Sequence, residues 1–303
     1  MDPLCISTPF TLADAEAAGW TREGVRTLVR QGDIREIVHG AYVSTDVPDT
    51  FGLRAAGLSR LVPPRAVICR RSAAWLYGVD VMALGAHVDV PPVEFLVPAG
   101  TAAVRRAGAI GYSAVLADHE VTEIDGLRVT TPQRTTLDLA RWLPLLDGVP
   151  AVDAMLHHQL VSLEALHAGA ARLRGYRNKQ RMERALELAD GRAESLQESR
   201  LRIRLVVYAK LPAPEVQYVV PTPGGEFRLD LAYVEVKVAI EYDGEENHSS
   251  PRDVAYDRWR RDMMRGMGWT FHVARTHDVL GGWMGFTGAV ERSLRAAGLT
   301  LAS

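Results

Sequence analysis

The sequence predicts a multi-domain α/β protein. Three observations predict it: a helix, turn, helix and hairpin order over residues 9–45, strand-like and helical runs mixed over 51–142, and a helix, hairpin, basic helix and strand order beyond residue 193. The expected divisions are a winged helix-turn-helix at 1–50, a middle α/β module at 51–146, a helical connector at 147–192 and a C-terminal domain at 193–303. A chain of 303 residues is long enough for two or three such domains with proper cores.

The N-terminal elements follow from their capping residues. Thr11, with Asp14 three residues later in place of the usual Glu or Gln, starts the first helix in capping-box style, and Gly19 stops it. Thr21 caps a second helix that ends near Gly32. Val25, Leu28 and Val29 form its apolar face, while Arg22, Arg26 and Arg30 recur every four residues along another. IREIVHGAYVS then supplies two short strands around His39-Gly40. In a winged helix a recognition helix places cations for phosphates and base edges, so Arg22, Arg26 and Arg30 are candidate DNA contacts. A solvated arginine face is the other reading of the same stripe. The segment resembles the N-terminal winged-helix domain of AbiEi-type antitoxins over about residues 8–45 and more loosely toward residue 142. That resemblance implies DNA binding and, for an antitoxin, a toxin partner.

The middle module reads as RRSAAWLYGVD helix, VEFLVP strand and an EVTEIDGLRVTTP hairpin turning at Asp125-Gly126. Thr131 caps a helix with Pro132 at its first position. No catalytic constellation is visible here, so scaffold or interaction surface is expected. Residues 147–192 read as helices, with ARLRGYRNKQRMER as a basic run.

The C-terminal domain carries the chemistry. Glu194 to Lys210 shows helical spacing of apolar residues, with Glu198 near its middle. In FRLDLAYVEVKVAIEYDG, strand alternation puts Arg228 and Asp230 on one face and Phe227, Leu229 and Leu231 on the other. A return around Val234-Glu235 makes Asp230 and Glu241 cross-strand neighbours, with Asp243 on the same face as Glu241. Carboxylates packed so closely repel unless a cation lies between them, and oxygen-only ligands favour Mg²⁺ or Mn²⁺. Asp230, Glu241 and Asp243 are therefore candidate metal ligands. Solvated acids on an exposed hairpin face are the alternative. Arg228 stands two residues from Asp230 with a charge for phosphate, and His248 could orient water or protonate a leaving group. Glu198 could hold a second metal or bind water, or pair with Arg202 one turn on. On the basic helix after the hairpin, Arg258, Arg260 and Arg261 are candidate DNA-backbone contacts, with Asp257–Arg260 an internal pair in the other reading.

Glu198, Asp230, Glu241-x-Asp243-Gly244, His248, Asp257-x-x-Arg260 and Gly268-Trp269 together resemble the Vsr-like nuclease domains of the PD-(D/E)XK superfamily, over about residues 193–280. The resemblance implies a small mixed sheet flanked by helices, with Asp230 and Glu241 as metal ligands below a DNA phosphate. Asp243 stands where the superfamily formula has lysine. The cysteines and histidines that bind zinc in the mismatch endonucleases are absent, and mismatch specificity is not carried over.

Composition narrows the classes. The formal net charge is −2, so nucleic-acid binding has to come from local basic surfaces. Cys5 and Cys69, with no C-x-x-C pair, argue against a disulfide framework and a cysteine zinc site. The start MDPLCISTPF lacks signal-peptide features and no apolar run approaches about 18 residues, so a cytoplasmic protein with no membrane partner is expected. The preferred expectation is a metal-dependent DNA endonuclease positioned by a winged helix. Its competitor is a non-enzymatic AbiEi-like regulator whose C-terminal domain serves binding or homodimer formation. RNA stays open as a substrate, although no aromatic stacking platform is legible.

Overall fold

A computed structural model of the protein describes residues 5–62, 65–82, 92–100, 105–106, 109–173, 177–222, 225–244 and 251–301. The architecture is mixed α/β with several sheets, in two compact units, Met1–Leu139 and Ala140–Ser303. No helix among the described residues is long and apolar enough to cross a membrane.

In the first unit, β1 (Phe10–Thr11) leads into α1 (Leu12–Ala17), α2 (Arg22–Gln31), β2 (Ile34–Val38) and β3 (Ala41–Ser44). The local signals act as their chemistry requires. Thr11 and Asp14 cap each other's backbone amides, Thr21 accepts from the Gly24 amide at 3.0 Å, and Gly32 ends α2 at φ 83°. The strands form an antiparallel sheet in the order β1-β3-β2. Phe10, Ala15, Val25 and Ile34 fill the small core between the helices and this sheet.

Beyond α3 (Phe51–Ser59) come β4 (Val67–Ile68), α4 (Arg70–Leu76), β5 (Val93–Pro98), β6 (Arg105–Arg106), β7 (Ala109–Ala114), β8 (Val121–Ile124), β9 (Leu127–Thr130) and α5 (Pro132–Trp142). The six strands order β6-β7-β5-β4-β9-β8, with parallel pairs at β5–β7 and β4–β9. Asp125 and Gly126 join β8 to β9 with φ of 48° and 78°, the left-handed pair that a tight hairpin needs. The segments expected as 1–50 and 51–146 share one hydrophobic core: Ile37, Val38, Ala41 and Val43 of the β2–β3 hairpin pack with Ile68, Phe95, Val97 and Val129. Gly57 on α3 permits the approach, since a Cβ there would meet Ile37 at 3.0 Å.

The second unit begins with α6 (Leu145–His157), α7 (Leu163–Arg172) and α8 (Lys179–Glu187). Next comes α9 (Leu196–Ile203), continued by a π-helical turn at Arg204–Tyr208. The sheet follows as β10 (Glu215–Thr222), β11 (Gly225–Tyr233) and β12 (Val238–Tyr242), then α10 (Pro251–Gly266), β13 (Thr270–Ala274), α11 (Thr276–Leu280) and α12 (Trp283–Ala296). Strand order is β10-β11-β12-β13, antiparallel except that β13 runs parallel to β12.

Simple alternation does not hold along β10 and β11. Val216, Leu231, Tyr233, Val238 and Ile240 pack with Leu201, Leu205, Val290 and Leu294, whereas Val220, Phe227, Leu229, Ala232 and Ala239 pack with Met264 and Trp269. Leu229 and Leu231, expected on one face, thus enter different cores. The change falls between the pairs Val216–Leu231 and Tyr218–Leu229, where Gln217 adopts a left-handed φ of 53° and faces the position of Asp230. Alternation along β12 and the second half of β11 already serves both cores, Val238 and Ile240 entering one and Ala239 the other; the rollover exchanges the faces of β10 and β11 on its two sides.

Candidate functional site

A cleft lies beside the rollover. Glu194, Gln217, Glu226, Phe227, Arg228, Asp230 and Arg260 line a space of about 340 Å³. Leu231 pairs with Ile240, so Asp230 and Glu241 occupy the next positions along the β11–β12 ladder. Asp230 accepts from the Tyr242 amide at 2.8 Å. Burial pushes its pKa up to about 7, and the charge of Glu198 and then that of Glu241 add to the rise against the Tyr242 amide and Arg260.

The neighbouring carboxylates are committed elsewhere. Glu198, buried on α9, accepts from Gln217 Nε2 at 2.7 Å and from the Glu194 amide at 3.0 Å. Arg202, the ion-pair partner in one of the two readings of Glu198, turns instead to Asp153 at 2.7 Å and to the Leu188 carbonyl at 2.6 Å. Glu241 is buried on β12 with each oxygen held from α10: Oε1 by Arg260 at 2.6 Å, Oε2 by Arg261 at 3.1 Å. Arg260 also donates to the Arg228 carbonyl at 3.3 Å. Arg228 itself pairs with Glu194 at 2.8 Å at the exposed lip of the cleft.

Asp243 lies past the end of β12, its amide bonded to the Ala274 carbonyl at 2.8 Å. Arg258 is exposed on α10, and His248 and the Asp257 side chain lie outside the described residues. Asp230, Glu241 and Asp243 were expected to hold Mg²⁺ or Mn²⁺. Among the described residues, however, no three Asp, Glu, His or Cys side chains are placed to ligate one ion. Both oxygens of Glu241 are on arginines, so the donor set as placed does not fit a divalent cation. The positive charge beside the carboxylates comes from guanidinium groups.

At the other end of the chain, Arg22, Arg26 and Arg30 are all exposed along α2. Arg22 pairs with Glu16 and Arg30 with Glu23, each at 2.6 Å, while Arg26 reaches Glu23 at 3.8 Å. Exposed pairs of this kind contribute little, and a phosphate can replace the carboxylate at small cost. The charged residues inside the middle module are structural by contrast. Arg134 is buried between Asp138 and Glu120, at 2.9 Å from each, and Glu94 takes the Tyr112 hydroxyl at 3.1 Å and the Arg71 amide at 3.0 Å.

Sequence reasoning missed Gln217, whose Nε2 donates to Glu198 at the cleft. A glutamine inside a strand-like run carries no signal of a left-handed backbone.

Residues 66–188 match the family model described as the AbiEi antitoxin C-terminal domain. The match runs from the start of the six-stranded sheet to the end of α8; it overlaps the stretch toward residue 142 where the AbiEi resemblance was looser, and it includes neither the segment at 8–45 nor the carboxylate cleft. Two proteins of Mycobacterium tuberculosis are each 30% identical over 261 residues, covering 86% of this chain and 92% of theirs: "Uncharacterized protein MT2308" of strain CDC 1551 / Oshkosh and "Uncharacterized protein Rv2248" of strain H37Rv. The crystal structure of the RV2827C protein from Mycobacterium tuberculosis aligns over 71% of this chain and 84% of that one, at 17% identity and a TM-score of 0.35. At 30% identity over most of both chains, and with residues 66–188 similar to the AbiEi antitoxin C-terminal domain, the chain belongs to the family of the Mycobacterium tuberculosis protein Rv2248.

Proposed function

We propose that the protein is a DNA-binding regulator of the AbiEi antitoxin type, reading DNA through its N-terminal helix pair and hairpin and using its C-terminal sheet without hydrolysis. The AbiEi domain at 66–188 is the observation that carries this reading. The geometry supports it at both ends. Val25 anchors α2 to the core and leaves Arg22, Arg26 and Arg30 in solvent, which supports reading this helix pair and the hairpin after it as a winged helix. In the C-terminal sheet, Arg260 and Arg261 fill the place beside Glu241 where a metal-dependent nuclease would need a cation. DNA is the first partner in this reading and a toxin protein the second, the cytoplasm is the compartment, and a homodimer would present two copies of α2 to one duplex.

One observation favours a second reading, a Mg²⁺- or Mn²⁺-dependent endonuclease. The order α9, β10–β12, α10, β13, with β13 parallel to β12, is the mixed sheet flanked by helices that the PD-(D/E)XK resemblance implies, and Asp230 stands beside Glu241 in it. Mobility-shift titrations with duplex DNA, run beside plasmid incubations in Mg²⁺, Mn²⁺ or EDTA, separate the two. Binding without cutting in either metal supports the regulator. Cutting that EDTA abolishes, and that Asp230→Asn also abolishes, would establish the endonuclease in its place. A protein that binds no DNA at any salt concentration overturns both.

A further inference from the structure

We infer that the six-stranded sheet holds a pocket for a small organic acid, a carboxylate carried on an apolar body of about six carbons. The inference goes beyond the DNA-binding reading and does not depend on it, since the pocket is lined only by residues between Arg65 and Arg128 of the first unit.

The pocket follows from how the sheet is covered. Ile68, Phe95 and Val129 enter the core shared with the β2–β3 hairpin, so alternation turns Val67, Leu96 and Arg128 to the opposite face. There Val67 and Leu96 pack with Ala114, the last residue of β7, and with Leu116 just after it. Pro98 and Ala114 pair at the carboxyl ends of the parallel strands β5 and β7, and the recess beside them measures about 240 Å³. Of the residues that line it, Val67 and Leu96 are buried, Val115 is 70% exposed, and Arg65 and Arg128 are exposed. The floor is therefore apolar and the mouth cationic.

Size and charge select the ligand. A water in the liquid takes about 30 Å³, so the recess has the volume of about eight waters, or of a molecule with about that many non-hydrogen atoms. Pockets for drug-sized ligands begin at about 300 Å³. The arginines set the polar end. Arg128 stands opposite Glu123 in the β8–β9 ladder, yet among the described residues neither Arg128 nor Arg65 forms an ion pair. Arg128 Nη1 reaches instead toward the Arg65 carbonyl, at 3.5 Å, which brings together two residues 63 positions apart. Their guanidinium groups keep donors for one shared anion, and a carboxylate can accept on both oxygens. An amine of the same length would meet like charge at the mouth, and an alcohol would forgo the charge-assisted bonds. A recess of this size seats a whole small acid but only one side chain of a protein, whose stable docking needs about 1,000 Å² of surface.

The test titrates hexanoate, hexanol and hexylamine into the full-length protein and follows the methyl NMR signals of Val67, Leu96 and Leu116, which line the pocket. Hexanoate is expected to move them saturably, with half-saturation near about 1 mM, as suits so small a ligand. Hexanol is expected to bind at least about fivefold more weakly, and hexylamine not at all. Replacing both arginines, Arg65→Gln with Arg128→Gln, is expected to bring hexanoate down to the level of hexanol while hexanol is unaffected, a result that damage to the fold would not give. Ala114→Leu, which fills the recess, is expected to abolish both. Methyl signals that do not saturate with hexanoate, or that move equally over both units, would overturn the pocket. Equal affinity for hexanoate and hexanol in wild type, or hexanoate binding untouched by the double replacement, would overturn the carboxylate assignment. A short peptide ending in a free leucine carboxylate that binds about tenfold more tightly than hexanoate would overturn the small acid in favour of a protein terminus. None of these outcomes alters the DNA-binding reading, which the mobility-shift titrations test separately.

Discussion

Arg202 donates to Asp153 at 2.7 Å, with both side chains almost wholly buried and the two residues 49 positions apart in sequence. The pair ties α9 to α6, and Ser199 and the Asp190 amide complete the shell around the same carboxylate at 2.7 Å each. Arg200 adds a second tie from α9 to Asp147 at 2.9 Å. Removing Arg202 leaves a buried acid without its counter-charge, so Arg202→Met is expected to cost about 3–5 kcal/mol in urea unfolding. The double replacement Asp153→Leu with Arg202→Met is expected to cost less than Arg202→Met alone. A loss under about 1 kcal/mol for Arg202→Met would mean that the pair is open to water in solution.

Asp230 makes stability depend on pH. Its folded pKa, pushed up to about 7, stands above its ordinary value of 3.8, so the folded state holds the proton more tightly than the unfolded chain. That contribution is fully present below about pH 4 and is lost as pH rises through about 7. It amounts to as much as about 4 kcal/mol. Asp230→Asn keeps an oxygen for the Tyr242 amide and cannot ionise, so the variant is expected to be more stable than wild type at pH 8 and nearly equal to it at pH 4. Urea midpoints at the two pH values measure the difference, and parallel pH profiles would contradict it.

Glu241 gives the opposite sign. Glu241→Gln leaves the guanidinium groups of Arg260 and Arg261, 20% and 22% exposed, without their shared carboxylate. A loss of about 2 kcal/mol is expected at neutral pH. A stabilised variant would indicate that carboxylate repulsion dominates at this position, as a metal site waiting for its ion would require.

Replacing Arg22, Arg26 and Arg30 together with Ala is expected to weaken duplex binding and to flatten its salt dependence by roughly three ion equivalents at about 0.9 per phosphate. Thermal stability is expected to change little, since each arginine is exposed. An unchanged salt slope returns the stripe to a solvated surface.

What could be read in the sequence was local. Thr11 with Asp14, Thr21, Gly32 and Asp125-Gly126 act within four residues of themselves, and each does in the structure what its side chain or φ requires. The partners in the carboxylate site are distant. Glu241 meets arginines 19 and 20 residues away, and Arg202 passes over Glu198, one turn off on its own helix, for Asp153. Helical spacing identifies which residues are near each other, but burial decides which charge must be satisfied first, and burial depends on the whole fold. The rollover at Gln217 was illegible for a different reason: alternation assumes an extended backbone, and a left-handed glutamine has no compositional mark.

The hydrophobic core shared by the β2–β3 hairpin and the six-stranded sheet limits how this chain can be cut and recombined. A fragment ending at residue 50 would carry Ile37, Val38, Ala41 and Val43 into water, and the remainder would bare Phe95, Val97 and Val129 along the matching strip. Both pieces would then present sticky apolar surface, prone to self-association. The N-terminal helices are therefore not a portable cassette: a graft onto another protein has to bring the sheet with it, and amide exchange in the hairpin is expected to follow the protection of β4, β5 and β9 rather than an independent, weaker value.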